Sequence, residues 1–149
     1  MKTIGLLGGM TWHSSHEYYR LINEEIQNRL GGVHSAQCLL YSVDFGPMDA
    51  LERQDRWDEA GGIVVAGAQR LEQGGADFVV ICSNTTHKSA DRVQQHIGIP
   101  LLHIADATGR ALCAAGMQRV GLLGTRFTME EDYVRGRLER TYGLEIITP

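Results

Sequence analysis

Apolar and amphipathic segments alternate along the chain of 149 residues. Short apolar runs predict strands at Thr3–Leu7, Ala36–Val43, Asp77–Cys82 and Ile99–Ile104. Apolar residues at helical spacing predict helices after these strands. The first runs from near His16 to Leu30, and Ser14 or Ser15 is expected to cap it. The others cover Met48–Asp58, Ala60–Gln73, Lys88 to about His96, and Asp106–Ala115. Strands that alternate with helices at this spacing are typical of right-handed parallel crossovers. The sequence therefore predicts an α/β fold, a parallel open sheet with helices on both faces.

A second glycine-rich strand repeats the first. Val120-Gly121-Leu122-Leu123-Gly124-Thr125 resembles Ile4-Gly5-Leu6-Leu7-Gly8-Gly9, and each run leads into a predicted helix and a further apolar strand. In the second copy these are Met129–Tyr142 and Leu144–Ile147. Repetition of one supersecondary unit predicts a second, similar half that begins near Arg119.

The repeat sets the expected domain organisation. We expect a first α/β domain over residues 1–117 and the incomplete beginning of a second over 118–149, in the front part of a two-domain protein. The apolar strands of an incomplete half would lack their own sheet, and exposed strand edges invite pairing with another chain. We therefore expect a dimer or a larger assembly.

The strand predicted to end near residue 82 leads into a run of reactive and polar side chains. Phe78-Val79-Val80-Ile81 is apolar, and Cys82-Ser83-Asn84-Thr85-Thr86-His87 follows it directly. Ligands of open α/β sheets bind beyond the carboxyl ends of the strands. Backbone N–H groups at the start of a following helix would suit a carboxylate or a phosphate. This junction is the first candidate site.

Composition excludes several classes of function. The net charge of −4 comes without a basic stripe, which argues against nucleic acid as a partner. The apolar run at the N-terminus is too short for a signal peptide or a membrane span. Three cysteines without a Cys-x-x-Cys pair predict neither a disulfide framework nor a metal site, and favour a reducing cytoplasm.

Five motifs together resemble the aspartate/glutamate racemase family, within the wider group that includes glutamate and hydantoin racemases. They are Ile4–Trp12, Leu40–Phe45, Asn84–His87, His103–Thr108 and Leu122–Arg126, so the resemblance covers the whole chain. It implies two similar α/β domains with the active site between them, a homodimer, and racemisation, without a cofactor, of a free amino acid that is aspartate- or glutamate-like or of a broader range. One group takes the Cα proton and another returns a proton on the opposite face.

The family places a cysteine on each domain for these two roles, and this chain departs from that pattern. The position directly before Asn84 holds Ser83, and Cys82 lies one residue earlier. Successive strand residues point to opposite faces, so Ser83 is expected to face the substrate while Cys82 is a small core residue. Ser83 is the candidate catalytic residue, although serine is a poor base without an activating neighbour. The second cysteine is expected beyond Pro149.

The resemblance also implies a set of substrate-binding residues: Met10, Thr11, Trp12, Glu52, Ser83, Asn84, Thr85 and Thr125. Glu52 stands where close relatives are expected to carry an amide. A carboxylate there would repel an acidic substrate side chain and favour a neutral or basic one.

Several of these residues have a purely structural alternative. Asn84 and Thr85 would suit helix capping, and Trp12 a core position. Glu52 would be an ordinary exposed helix charge, and Thr125 with Arg126 a cap or surface ion pair. His87 and His103 are open to either a ligand-facing or a structural role, and Cys38 and Cys113 are expected in the core.

Three other functions remain as alternatives. A related enzyme of the superfamily, such as a hydantoin racemase, maleate isomerase or decarboxylase, would use the same cleft for different carbanion chemistry. A non-catalytic module would keep the carboxylate-binding loop without the opposing base. Nucleotide binding is disfavoured because Gly5-Leu6-Leu7-Gly8-Gly9 lacks the G-x-G-x-x-G spacing.

Overall fold

The computed structural model describes residues 1–149, which divide into two compact units, Met1–Leu101 and Leu102–Pro149. This division places the helix after Leu102 in the second unit. The expected domains 1–117 and 118–149 stay a prediction. No helix has the length and hydropathy that a membrane span requires.

A parallel sheet forms the centre of the first unit, and the predicted α/β fold is confirmed. Its order is β2-β1-β3-β4, with β1 paired in parallel to both β2 and β3. The strands are β1 (Ile4–Gly8), β2 (Cys38–Ser42), β3 (Phe78–Ile81) and β4 (Leu101–Leu102). The helices of this unit are α1 (Trp12–Leu30), α2 (Phe45–Arg53), α3 (Trp57–Gln73), a 3-10 helix (Thr85–Ser89) and α4 (Ala90–His96).

Helix α3 supplies most of the helical side of the core. Ala60, Val64, Ala68 and Leu71 recur at helical spacing and are buried. They belong to one cluster with the buried apolar residues of β1 and β3: Leu7, Val79 and Ile81. Burying each valine or leucine side chain contributes roughly 1.5–3 kcal/mol, so this layer fixes β1 beside β3.

The second unit has its own small core. Strands β5 (Arg119–Gly121) and β6 (Glu145–Ile147) pair in parallel, as β1 and β2 do. Its helices are α5 (Ile104–Ala114), α6 (Arg126–Glu130) and α7 (Arg135–Tyr142). The buried apolar residues are Ala105, Val134, Leu138, Leu144 and Ile146.

Several predicted elements differ from the structure. The helix expected over Met48–Asp58 is α2, which begins at Phe45 and ends at Arg53, and the strand expected over Ile99–Ile104 is only Leu101–Leu102. The helix expected over Met129–Tyr142 is two helices, because Glu131 is extended (φ −95°, ψ 160°) and ends α6. The helix expected from Lys88 begins as the 3-10 helix, and α4 starts only at Ala90. Helix α1 begins at Trp12, not near His16; Thr11 is its N-cap and makes no side-chain capping bond.

His103 caps helix α5. Its Nδ1 accepts a hydrogen bond from the backbone N–H of Ala105 at 3.1 Å, which requires a neutral imidazole. Burial, and secondarily the nearby Arg137 guanidinium, lower the pKa of His103 to about 4, while Asp106 opposes the shift. The folded state therefore prefers the neutral ring.

We expect this preference to make stability depend on pH. A pKa lowered by folding adds stability that is complete above the ordinary pKa of about 6.5 and is lost as the pH falls toward 4, by roughly 3 kcal/mol. His103→Asn keeps a capping acceptor but does not titrate there. Urea unfolding between pH 4 and 8 checks this: the variant should lose less stability on acidification. Parallel pH profiles for the two proteins would contradict it.

Candidate active site

The candidate site lies where the carboxyl ends of β1 and β3 meet. The chain leaves β1 toward β2 on one side and returns to β3 on the other, so the order of the sheet reverses between β1 and β3. Such a switch point forms the ligand-binding crevice of open α/β sheets. Leu7 pairs with Ile81 at the ends of these strands, so the two following loops are neighbours.

The loop after β1 is held tightly against β2. Gly9 has φ +96°, and a Cβ atom there would lie 2.3 Å from the backbone oxygen of Val43. Its N–H donates to Ser15 Oγ at 3.0 Å. Only glycine fits both the backbone conformation and the close approach. The loop thus has one defined path into α1.

The three substrate-contact candidates of this loop differ in exposure. Met10 is buried (6% exposed), and its peptide bond to Thr11 is cis. Trp12 is 60% exposed, so its alternative role as a core aromatic is wrong. Thr11 and Trp12 present an exposed surface beside the switch point, and the Trp12 and His13 rings stack with 3.9 Å between their centroids.

Ser14 joins the two loops. Its Oγ lies 2.6 Å from the carbonyl oxygen of Cys82 and donates to it, with the carbonyl oxygen of Thr11 at 3.1 Å. The prediction that Ser14 or Ser15 caps α1 is therefore wrong. Both hydroxyls bind neighbouring segments of the site instead. Pattern reasoning could not assign this role, since the partner lies 68 residues along the chain.

The two residues after β3 have opposite environments. β3 ends at Ile81, one residue earlier than predicted, but the Cys82 N–H continues the ladder to the Leu7 carbonyl at 2.9 Å. Cys82 is 0% exposed, and burial raises the pKa of its thiol to about 12. Ser83 is half-buried. The thiol is therefore inert at neutral pH, while the hydroxyl lies at the open side of the strand end.

The polar contacts of Ser83 come from its own loop. Thr86 Oγ1 donates to Ser83 Oγ at 3.0 Å, and His87 Nδ1 donates to the Ser83 carbonyl at 2.7 Å. A carbonyl oxygen only accepts, so this histidine contact positions the backbone and does not deprotonate the hydroxyl. His87 is buried, as the backbone-satisfied alternative predicted. Thr86 was missed by sequence reasoning.

Asn84 and Thr85 begin the 3-10 helix. Asn84 is exposed, makes no side-chain capping bond, and accepts from the His87 N–H through its backbone at 3.1 Å. The capping alternative for its side chain is therefore wrong. Thr85 is half-buried beside it. The amide of Asn84 is presented at the same sheet edge as Ser83.

Glu52 of α2 lies near two other charged groups, Asp49 of the same helix and Lys88 of the 3-10 helix. Burial and the neighbouring Asp49 carboxylate raise the pKa of Glu52, while Lys88 opposes this. Lys88 Nζ stands 3.9 Å from the centroid of the Trp57 ring, a cation–π contact. Trp57 and Lys88 were not identified from sequence. Glu52 is half-buried, so the alternative of an ordinary exposed charge is wrong.

Thr125 belongs to the second unit, and its structural alternative is confirmed there. It is the N-cap of α6, accepting from the Thr128 N–H at 3.3 Å. The other candidates, from Met10 to Thr85, all belong to the first unit.

Cys113 is exposed, so its predicted core position is wrong, whereas Cys38 is partly buried. No group of three or more His, Cys, Asp or Glu side chains could hold a metal ion.

Comparison with known proteins agrees with the geometry. The family described as Asp/Glu/hydantoin racemase matches residues 7–149. The broad specificity amino-acid racemase RacX of Bacillus subtilis is 28% identical over 130 residues, covering 85% of this chain and 56% of the relative.

Solved structures give the same result. The structure of a Yersinia pestis protein assigned to the Asp/Glu racemases has a TM-score of 0.95 and 47% identity over the whole chain. An aspartate racemase homologue from Pyrococcus horikoshii has a TM-score of 0.85 and 31% identity, also over the whole chain. The chain spans 65% of each of these two proteins.

Proposed function

The chain belongs to the Asp/Glu/hydantoin racemase family, and from that premise we propose that it binds an amino acid at the β1/β3 switch point and takes part in racemisation at Cα. One observation carries the proposal: a half-buried serine hydroxyl stands at the carboxyl end of β3, fixed by a neighbouring threonine. Catalytic groups of open α/β proteins occupy this edge.

The proposed chemistry needs two groups on opposite faces of the substrate. A base removes the Cα proton, and the electron pair stays on Cα as a carbanion. An acid on the other face forms the new Cα–H bond. Ser83 is the proposed group on one face, and the resemblance supplies a cysteine of a second domain for the other. We propose that no cofactor takes part, as in the family, and that the enzyme works in the cytoplasm, which fits three free cysteines.

Glu52 supports a substrate without a negative side chain. Its carboxylate and that of Asp49 repel one another, and Lys88 only partly compensates. A substrate carboxylate would add to this repulsion, whereas a neutral or cationic side chain would not. The similarity to a racemase with broad specificity for amino acids supports this proposal over a substrate range restricted to aspartate and glutamate. The homodimer implied by the resemblance remains part of the proposal.

Proton exchange in D2O tests the function. NMR would follow loss of the Cα proton from L- and D-forms of aspartate, glutamate, alanine, lysine and arginine, without added cofactor, for this chain and the longest natural reading frame. We expect exchange, faster for lysine or arginine than for aspartate. Glu52→Gln should reduce the ratio of the exchange rate of lysine or arginine to that of aspartate. The control Glu24→Gln, on the exposed face of α1, should leave this ratio unchanged.

One observation favours a second function. His87 contacts the carbonyl of Ser83 and not its hydroxyl, so this pair does not form an activated base. A carboxylate-binding module without catalysis is therefore the alternative. Amino-acid binding seen by NMR titration, with no exchange in either protein, would support it. Exchange of a hydantoin but of no amino acid would instead indicate a related enzyme.

A further inference from the structure

Thr86 is a buried polar residue whose hydroxyl lies between two acceptors. It is 4% exposed, and its Oγ1 lies 3.0 Å from Ser83 Oγ and 3.6 Å from Met10 Sδ. A hydroxyl has one proton to donate. Oxygen is the stronger acceptor and the shorter contact, and a thioether accepts only weakly. The proton of Thr86 therefore goes to Ser83.

That direction decides what Ser83 can offer. Once Ser83 Oγ accepts from Thr86, its own proton must point away from Thr86. The carbonyl of the same residue is held by His87 Nδ1 at 2.7 Å, which fixes the backbone from which the hydroxyl projects. The contact to its carbonyl oxygen thus sets the position of Ser83, and the contact to its hydroxyl oxygen sets the direction in which the hydroxyl donates.

We propose that Thr86 is a positioning residue that makes Ser83 a proton donor. The proposal rests on the function proposed above. The Ser83 O–H bond breaks, the proton forms the new bond at Cα with the carbanion electron pair, and the alkoxide left on Ser83 takes a proton from water. A hydrogen bond received from Thr86 stabilises that alkoxide, because it favours the charged form.

A thiol placed at the same position measures this hydrogen bond without any catalysis. In Ser83→Cys, Thr86 would donate to the thiolate and lower its pKa. Adding Thr86→Val removes the hydroxyl but keeps the branched shape, and should raise the pKa of the introduced thiol by about one unit. Adding Thr86→Ser in place of Thr86→Val should restore it. Thr108→Val, at an exposed position of α5 where the hydroxyl donates to the Ile104 carbonyl, is the matched control and should leave this pKa unchanged.

The pKa would be read from the pH dependence of alkylation by iodoacetamide, with tandem mass spectrometry to separate the introduced thiol from that of Cys82. Buried Cys82 is not expected to react. Equal alkylation profiles for Ser83→Cys with and without Thr86→Val would overturn the inference. The same profiles in Thr86→Ser and Thr86→Val would also overturn it, since a structural effect of the substitution, not the hydroxyl, would then be the cause.

Exchange kinetics give the second readout on the natural serine. Thr86→Val should lower kcat about tenfold or more with little change in KM, and Thr86→Ser should recover most of it. An equal rise of KM in both variants would point to packing and contradict the role. If no substrate exchanges but the thiol pKa still shifts, the proposed function fails while the orientation of residue 83 by Thr86 stands.

Discussion

Replacing Ser83 with alanine is expected to lower the rate of Cα proton exchange by about two to four orders of magnitude, the usual contribution of one acid–base group. The side chain is small and half-buried, so the fold should survive. NMR exchange in D2O measures the effect, with circular dichroism to verify folding. Ser35→Ala, in the exposed segment before β2, is the control and should exchange normally.

Ser83→Cys extends this prediction in the opposite direction. A thiol has an unperturbed pKa near 8.5, so it serves as acid or base near neutral pH far better than a hydroxyl. Exchange should match or exceed that of the natural protein. A Ser83→Ala protein that exchanges within a few-fold of the natural one would show that Ser83 only binds.

Gly9→Ala is expected to have the largest effect on folding. Its Cβ would lie 2.3 Å from the Val43 oxygen and 2.5 Å from the Val43 nitrogen, at φ +96°. Backbone strain at positive φ costs about 1–3 kcal/mol. The clash with main chain that cannot rotate away adds to this, so we expect the free energy of unfolding to fall by at least about 4 kcal/mol.

Gly31→Ala is the matched control, since Gly31 also has positive φ (+75°) but nothing lies within 4 Å of an added Cβ. It should show only the strain contribution. Urea denaturation of both variants gives the difference. Equal destabilisation would mean that the β1–α1 loop moves away from Val43 freely, against the tight path described for it.

Local patterns predicted the fold well because the sheet is built from short apolar strands between amphipathic helices. The candidate site followed from one such element, since ligands meet the carboxyl end of a buried strand, and Cys82 and Ser83 lie on opposite sides of its end. The break between α6 and α7 escaped prediction, since neither glycine nor proline marks it. At this break, the Thr128 side chain makes hydrogen bonds, including one between its Oγ1 and the Tyr133 hydroxyl oxygen at 2.9 Å.

The contacts that organise the site could not be read from local patterns. Ser14 binds a carbonyl 68 positions away, and Thr86 contacts a sulfur 76 positions away. In sequence both look like ordinary cap or turn residues. Their roles appear only when β1 and β3 are placed side by side, which depends on the tertiary fold.

The uneven burial of the two long helices has a consequence for motion. Helix α3 has seven buried residues, whereas α1, with 19 residues, has only Ser15. Amide hydrogen exchange should therefore show that α1 opens locally at a lower free energy than α3. Helix α3 should open only when the whole first unit unfolds. Because Ser14 and Ser15 tie α1 to both loops of the site, each such opening would loosen the crevice while the sheet stays intact. A bound amino acid would then slow amide exchange most strongly in α1, far beyond the residues it touches.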